Sequence, residues 1–252
     1  MIDTHCHILP GIDDGPDTLE ISVEMARVAA KDGVHVIIAT PHANLDEGVV
    51  TPELIRERVA ILNDAIRAAG IGITVLPGAE ISSVDNLIKR LEAGQVMTVA
   101  DRGKHLLIEL PFSSFPNYVP DLFFNLQLMG FVPIIAHPER SGAARLRLDT
   151  IRELAQRGAL LQVNAESIRG KEGRGIRAIA QRLLREDLVS FIASDGHDPK
   201  RRPPVISPAR SAMRRLGGDA AFARLTESGP ARLLRDPSRP GRAGSSAAPE
   251  PA

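Results

Sequence analysis

The sequence predicts an α/β fold built on a parallel sheet that is closed, or nearly closed, into a barrel. Three observations predict it. Seven short runs are apolar on both faces, as strands covered by helices on each side require. Amphipathic helical stretches lie between most of these runs, and such alternation builds a parallel sheet. The chain has 252 residues, which suits one barrel-sized domain.

The runs are residues 1–4, 34–40, 73–77, 105–110, 132–136, 159–163 and 188–193. No glycine-rich GxGxxG turn follows the first of them, which removes the usual dinucleotide-binding reading. A helix is expected over 18–31, where Ile21, Met25, Val28 and Ala29 recur at helical spacing and Gly33 stops the run. A second is expected over 52–69, with Pro52 at its start and Gly70 at its end. Two more are expected over 148–157, before Gly158, and over 175–186, which carries Ile176, Ile179, Leu183 and Leu184. The domain is expected to span 1–236. Residues 237–252 are rich in Pro, Gly, Ser and Ala without apolar period and are expected to form a disordered tail.

Composition removes several function classes. There are 31 basic and 31 acidic residues, so no global charge directs the chain to nucleic acid or to a membrane surface. With 7 Phe, 1 Tyr and no Trp, base stacking on aromatic platforms is not expected. The single cysteine, Cys6, cannot close an internal disulfide. No apolar run reaches the ~18 residues of a membrane span, and no signal peptide is read at the start. A cytoplasmic protein without nucleic-acid partner or membrane insertion is therefore expected. Homo-oligomerisation is left open.

The chemistry lies at the end of each run. The first leads into His5-Cys6-His7, the second into His42, the third into Glu80, the fourth into Glu109, the fifth into His137-Pro138-Glu139-Arg140, the sixth into Gln162-Val163-Asn164 and the seventh into Ser194-Asp195-Gly196-His197. Loops at the C-terminal ends of barrel strands build active sites, so the fold and the ligand types point to one place. Residues i and i+2 of an extended segment share a face, which lets His5 and His7 grip one ion while Cys6 points away; Asp195 and His197 repeat the arrangement. A lone His-x-His is a weak signal, and a carboxylate after a strand is often a helix cap. Five histidines and several acids gathered at strand ends are a pattern. His35 and His105 lie within or at the start of strands and are read as ordinary surface or core histidines.

Mixed imidazole and carboxylate ligands suit Mn, Zn, Fe or Co better than Ca or Mg. Glu80, Glu109, Asp195 and one of the adjacent Asp13 and Asp14 carry less charge than three divalent ions, which leaves a positive surplus for hydroxide and a phosphate dianion. A bridging carboxylate, Glu80 first, would hold two metals about 3.5–4 Å apart. Arg140 and Arg202 are the candidates for bidentate contacts to phosphate. The expected chemistry is hydrolysis by metal-activated water.

Met1-Ile-Asp-Thr-His-Cys-His-Ile-Leu-Pro-Gly-Ile-Asp-Asp-Gly15, Ala39-Thr-Pro-His42, Gly78-Ala-Glu-Ile81, Ile108-Glu-Leu-Pro-Phe112, Ile135-Ala-His-Pro-Glu-Arg140, Gln162-Val-Asn-Ala165 and Ser194-Asp-Gly-His197 resemble, in order, the bacterial phosphotyrosine phosphatases of the PHP superfamily, CpsB/YwqE type. The resemblance runs from Met1 to about Asp236. It implies a distorted (β/α)7 barrel and a trinuclear, often manganese-dependent, site. It implies one metal on His5, His7, Glu80 and Asp195, a second on Glu80, Glu109 and His137, and a third on Asp14, His42 and His197. It selects Asp14 over Asp13. It implies phosphate binding by Arg140 and Arg202, and a substrate on the phosphotyrosine tail of a bacterial tyrosine autokinase that controls capsule or exopolysaccharide assembly. Ala43, Ser141 and Gly196 depart from common family residues, and none is a proposed ligand. Competing readings are a small-molecule phosphoesterase, such as a histidinol-phosphate phosphatase, and a non-catalytic metal-binding regulator. An amidohydrolase is disfavoured because no lysine stands at a strand end.

Overall fold

A computed structural model describes residues 1–43, 50–84, 86–142 and 146–234; the tail expected at 237–252 lies outside the described residues. Every strand pairing in it is parallel. Strand β1 (Ile2–Cys6) is buried along its whole length and pairs with β2 (Val36–Ala39), which pairs in turn with β4 (Thr74–Pro77). A second sheet runs in the order β3 (His42–Ala43), β5 (Glu80–Ser82), β6 (His105–Glu109), β7 (Val132–Ala136), β8 (Leu160–Asn164) and β9 (Phe191–Ala193).

The second and third expected strands are present as β2 and β4, each followed by a further short strand, β3 and β5, and the sequence explains the interruptions. Pro41 lacks the N–H that would continue the ladder between β2 and β3. Between β4 and β5 lies Gly78, where a Cβ would sit 2.9 Å from Ile38 Cγ2 and 3.1 Å from the Ala39 carbonyl oxygen. Only glycine lets the two bent strands approach so closely. The breaks carry backbone bonds across: Thr40 N–H donates to the Cys6 carbonyl at 2.9 Å and Glu80 N–H to the Pro41 carbonyl at 3.0 Å. The outer strands also meet. Asp195 N–H donates to the His5 carbonyl at 2.9 Å and His7 N–H to the Gly196 carbonyl at 2.8 Å.

Helices cover the sheets. Helix α1 (Leu19–Lys31) starts where the Thr18 side chain accepts from Ile21 N–H, and buries Met25, Ala26 and Ala29. Helix α2 (Pro52–Ala68) is capped by Thr51 in the same way, carries Pro52 in its first turn, and buries Ile55, Val59, Leu62 and Ile66. Each threonine cap stabilises by about 1 kcal/mol. Then come α3 (Leu87–Glu92), α4 (Val119–Leu128), α5 (Leu148–Gln156), α6 (Ala165–Arg169), α7 (Arg174–Arg185), α8 (Ala209–Met213), α9 (Gly218–Ala223) and α10 (Ala231–Leu234). The core forms where helix faces meet strand residues such as Ile37, Ile81, Leu106, Ile108, Ile135, Leu161 and Ile192, all fully buried. No described helix is long and apolar enough to cross a membrane.

Candidate metal centre

The parallel strands deliver their C-terminal ends to one end of the molecule, and the polar strand-end residues converge there. His5 lies in β1 and His7 just beyond it; their Nε2 atoms are 3.1 Å apart, and both residues are fully buried. Cys6 between them faces the other way, its Sγ 3.5 Å from the Gly196 carbonyl, and burial pushes its thiol well above the ordinary value. Glu80 opens β5 instead of following a strand, and His42 opens β3 opposite it. Oε1 of Glu80 lies 3.5 Å from His5 Nε2 and 3.0 Å from His137 Nε2; Oε2 lies 3.5 Å from His7 Nε2 and 3.0 Å from His42 Nδ1. Glu109, the last residue of β6, stands 3.7 Å from His137 Nε2. Asp14 reaches over the cluster from the loop after β1, with Oδ1 3.3 Å from His197 Nε2 and 3.6 Å from His42 Nε2. All nine expected ligands are thus brought together, while His35 sits apart with Nδ1 2.9 Å from the N-terminal amine.

Asp195 divides its two oxygens. Oδ1 faces the imidazoles, 3.6 Å from nitrogens of His5, His7 and His197. Oδ2 accepts from Asn164 Nδ2 at 2.8 Å, pairs with Arg202 Nη2 at 3.0 Å, and is bonded by Arg140 Nη1. Both expected arginines therefore stand beside the cluster. They also line a cleft of about 310 Å³, together with Asn164, Lys171, Glu172 and Arg201.

Two backbone positions are unusual. His137 has φ 26° and Asp195 φ 53°, in the left-handed region that non-glycine residues seldom occupy. Such conformations persist where the surroundings over-determine them, often at functional sites. Gly196 is required sterically, because a Cβ there would lie 2.8 Å from Pro204 Cα.

The electrostatics follow from packing carboxylates among imidazoles. Burial opposes ionisation of Asp195, but His5, His137, His7 and Arg202 outweigh it and hold its carboxyl well below the usual range. Burial likewise opposes a charged Glu80, and the surrounding histidines overcome it. Burial, with the charge of Glu80 next, raises Glu109. Burial works against a charged His7, yet the hydrogen bond to Asp13 and the nearby Glu80 carboxylate raise it to about 10. His197, whose ring is centred 3.9 Å from that of His7, is lowered by burial and by the charge of His7 to about 4. Without cations, imidazole protons supply the counter-charge for the buried acids, and a divalent ion would displace them.

The donor set fits such ions. Both Glu80 oxygens are buried without a properly directed hydrogen-bond donor. A buried charged acceptor in that state is costly unless a cation meets it. Nitrogen and oxygen atoms 3.0–3.6 Å apart are spaced as ligands of a shared ion with bonds of about 2.1 Å would be.

Three residues outside the nine expected ligands also matter. Gln162 Oε1 is 2.9 Å from His5 Nδ1, which fixes the tautomer with Nε2 free to coordinate. Glu172 Oε1 sits 3.3 Å from Arg140 Nε; only the fold brings this loop acid to that arginine. Asp13 Oδ2 lies 2.7 Å from His7 Nδ1 and accepts from His42 N–H at 2.9 Å, so it orients two of the histidines. The paired aspartates are visible in the sequence; their division of labour is not. Asp13→Ala is expected to weaken metal affinity about 10–100-fold, with Asp13→Asn restoring part of the loss, by competition titration against a chelator. Unchanged affinity in both variants would reduce Asp13 to a loop anchor.

Residues 1–235 match the family described as capsular polysaccharide synthesis, CpsB/CapC. The chain is 40% identical to the tyrosine-protein phosphatase YwqE of Bacillus subtilis over 80% of this chain and 79% of that protein. It is 35% identical to the putative tyrosine-protein phosphatase CapC of Staphylococcus aureus over 82% of this chain and 80% of the relative. A crystal structure from work on YwqE of Bacillus subtilis and CpsB of Streptococcus pneumoniae, described there as metal-dependent tyrosine phosphatases, superposes with a TM-score of 0.86 at 36% identity, covering 94% of this chain and 95% of the other.

Proposed function

Because the chain belongs to the CpsB/CapC family of capsular polysaccharide synthesis proteins, we propose that it is a metal-dependent protein-tyrosine phosphatase acting on the phosphotyrosine tail of a bacterial tyrosine autokinase in the cytoplasm. The observation that carries this reading is the convergence of nine imidazole and carboxylate ligands beside two arginines at one end of the strands. His5, His7, Glu80 and Asp195 would hold one divalent ion. Glu80, Glu109 and His137 would hold a second, and Asp14, His42 and His197 a third. Manganese is the leading candidate, with iron, zinc or cobalt compatible with the donor set. The backbone bonds between β1 and the end of β9 support a closed, distorted (β/α)7 barrel in one domain over 1–236.

Bound divalent ions would supply water activation at neutral pH and neutralise charge on the phosphate. The chain's own residues do the rest. Arg140 and Arg202 present guanidinium groups to phosphate oxygens, and Asp195 Oδ2 with Glu172 holds Arg140 in place. Gln162 and Asp13 fix His5 and His7 so that their Nε2 atoms face inward. At the rim, the half-exposed Phe112 ring lies parallel to His137 at 6.1 Å and 5.6 Å from the Arg140 guanidinium carbon. It offers an apolar wall to an aryl ring whose phosphate is on Arg140. Phe112→Ala is expected to lower kcat/KM for a phosphotyrosine peptide about tenfold, with little change for a phosphoserine peptide. An equal change in both would take Phe112 out of substrate recognition.

The function is tested by stripping metal and restoring Mn, Zn, Co, Fe or Mg singly, with a phosphotyrosine peptide and p-nitrophenyl phosphate as substrates. Activity is expected to vanish on stripping and to return on both substrates. Turnover of p-nitrophenyl phosphate alone would move the assignment to a small-molecule phosphoester such as histidinol phosphate. Silence on both with metal bound would leave a non-catalytic regulator.

A further inference from the structure

A cavity of about 430 Å³ opens between α7 and the segment that follows α8. Arg177 and Arg185 line it from α7, and Arg214 and Arg215 from the opposite wall; no carboxylate lines it. All four arginines are exposed, and among the described residues none of them forms an ion pair. The nearby acid Asp219 is taken by Arg210, whose Nε lies 2.8 Å from its Oδ1. Other exposed arginines, Arg56, Arg67, Arg157 and Arg182 among them, sit on a carboxylate. On a chain of balanced formal charge, four gathered cations, of which only Arg214 feels a nearby acid, Asp219, form a local positive field that calls for an anion.

The segment 170–177 links the lining of this cavity to that of the catalytic cleft along the chain. The Arg177 side chain lies over Gly170, where a Cβ would meet Arg177 Cδ at 2.7 Å. The next residues, Lys171 and Glu172, line the cleft that holds Arg140, Arg201 and Arg202. Lys171 in the cleft and Arg177 in the cavity thus stand six residues apart in the chain, with Arg185, Arg214 and Arg215 further along the same cavity.

We propose that this basic cavity docks an acidic stretch of the substrate polypeptide, carboxylates or further phosphotyrosines flanking the residue being hydrolysed. The proposal rests on the phosphatase reading of the metal centre. Guanidinium groups bind carboxylate and phosphate alike through paired N–H donors. A concave basic cavity fits a flexible acidic chain, whereas an anionic bilayer presents a plane.

The test uses the metal-loaded full chain and two phosphotyrosine peptides, one with an acidic flank and one with Gln and Asn in place of the acids. The wild type is expected to favour the acidic peptide about tenfold in kcat/KM, with the preference shrinking as ionic strength rises. The double variant Arg214→Glu/Arg215→Glu, and separately Arg177→Gln, should reduce that preference and leave p-nitrophenyl phosphate turnover unchanged. Versions carrying non-hydrolysable phosphonomethyl-phenylalanine should show the same differences in affinity by fluorescence anisotropy. Equal handling of the two peptides by the wild type, or a preference that survives charge reversal, would overturn the proposal. Charge reversal that abolishes binding to phosphatidylserine vesicles but spares the peptide preference would assign the cavity to anionic lipid instead. If neither peptide is hydrolysed, the phosphatase reading fails by itself, and the non-hydrolysable peptides still decide the docking.

Discussion

Glu80→Gln is expected to lower kcat on the order of 10³-fold, the largest loss from any single substitution in the cluster. Glu80 is buried, and its oxygens face four imidazoles: His5 and His137 on one side, His7 and His42 on the other. An amide keeps the shape but has one oxygen and no charge, so it cannot bridge two cations. Metal content per chain, measured by elemental analysis, should fall together with turnover, while far-ultraviolet circular dichroism stays native. Glu109→Gln should cost less, because among the described residues His137 is the one basic group within 4 Å of Glu109, at 3.7 Å, and Glu109 is partly exposed. A Glu80→Gln enzyme with full metal and near-native turnover would sink the bridging assignment.

Arg140→Ala is expected to reduce kcat/KM for phosphate monoesters about 10²–10³-fold, as removal of a charge-stabilising donor does elsewhere. The guanidinium is oriented before substrate arrives, with Asp195 on Nη1 and Glu172 on Nε. Arg140→Lys keeps the charge but loses the planar fork and should recover only part of the activity. Arg202 is more exposed, so its removal should cost about tenfold. Inorganic phosphate used as a competitive inhibitor separates the possibilities. A weaker inhibition constant in Arg140→Ala, parallel to the loss in kcat/KM, marks a phosphate contact; an unchanged constant with lost thermal stability marks a structural arginine.

Much of this architecture is legible in residue order. The strand-end ligands can be read because a parallel strand must end in a loop, and the polar residue types recur at each end. The capped helices α1 and α2 can be read because Thr18 and Thr51 precede clean apolar periods. The short strands β3 and β5 beyond Pro41 and Gly78 are not legible, because two or three residues carry no alternation to read. Helix α4 is hidden too, since Phe124 and Leu128 are apolar on its exposed side and blur the period. Glu172 cannot be matched to Arg140 from sequence, because only the fold places its loop beside the end of β7. Asp13 and Asp14 are neighbours of one type, and residue type alone cannot tell the residue that aims an imidazole from one that faces the cluster.

The order of the ligands along the chain has a consequence for synthesis. His5 and His7 emerge from the ribosome first, and Asp195 and His197, their partners across the site, emerge last. The same seam is fastened by the Asp3 carboxylate, which accepts from Ser194 N–H across a separation of 191 residues. Contacts so distant in sequence close late in folding. A nascent chain or a truncated product that stops short of residue 195 lacks the acid that joins the imidazoles to the arginines, and on the proposed assignment would be catalytically silent. Phosphatase activity is then expected only of chains translated through both halves of that seam.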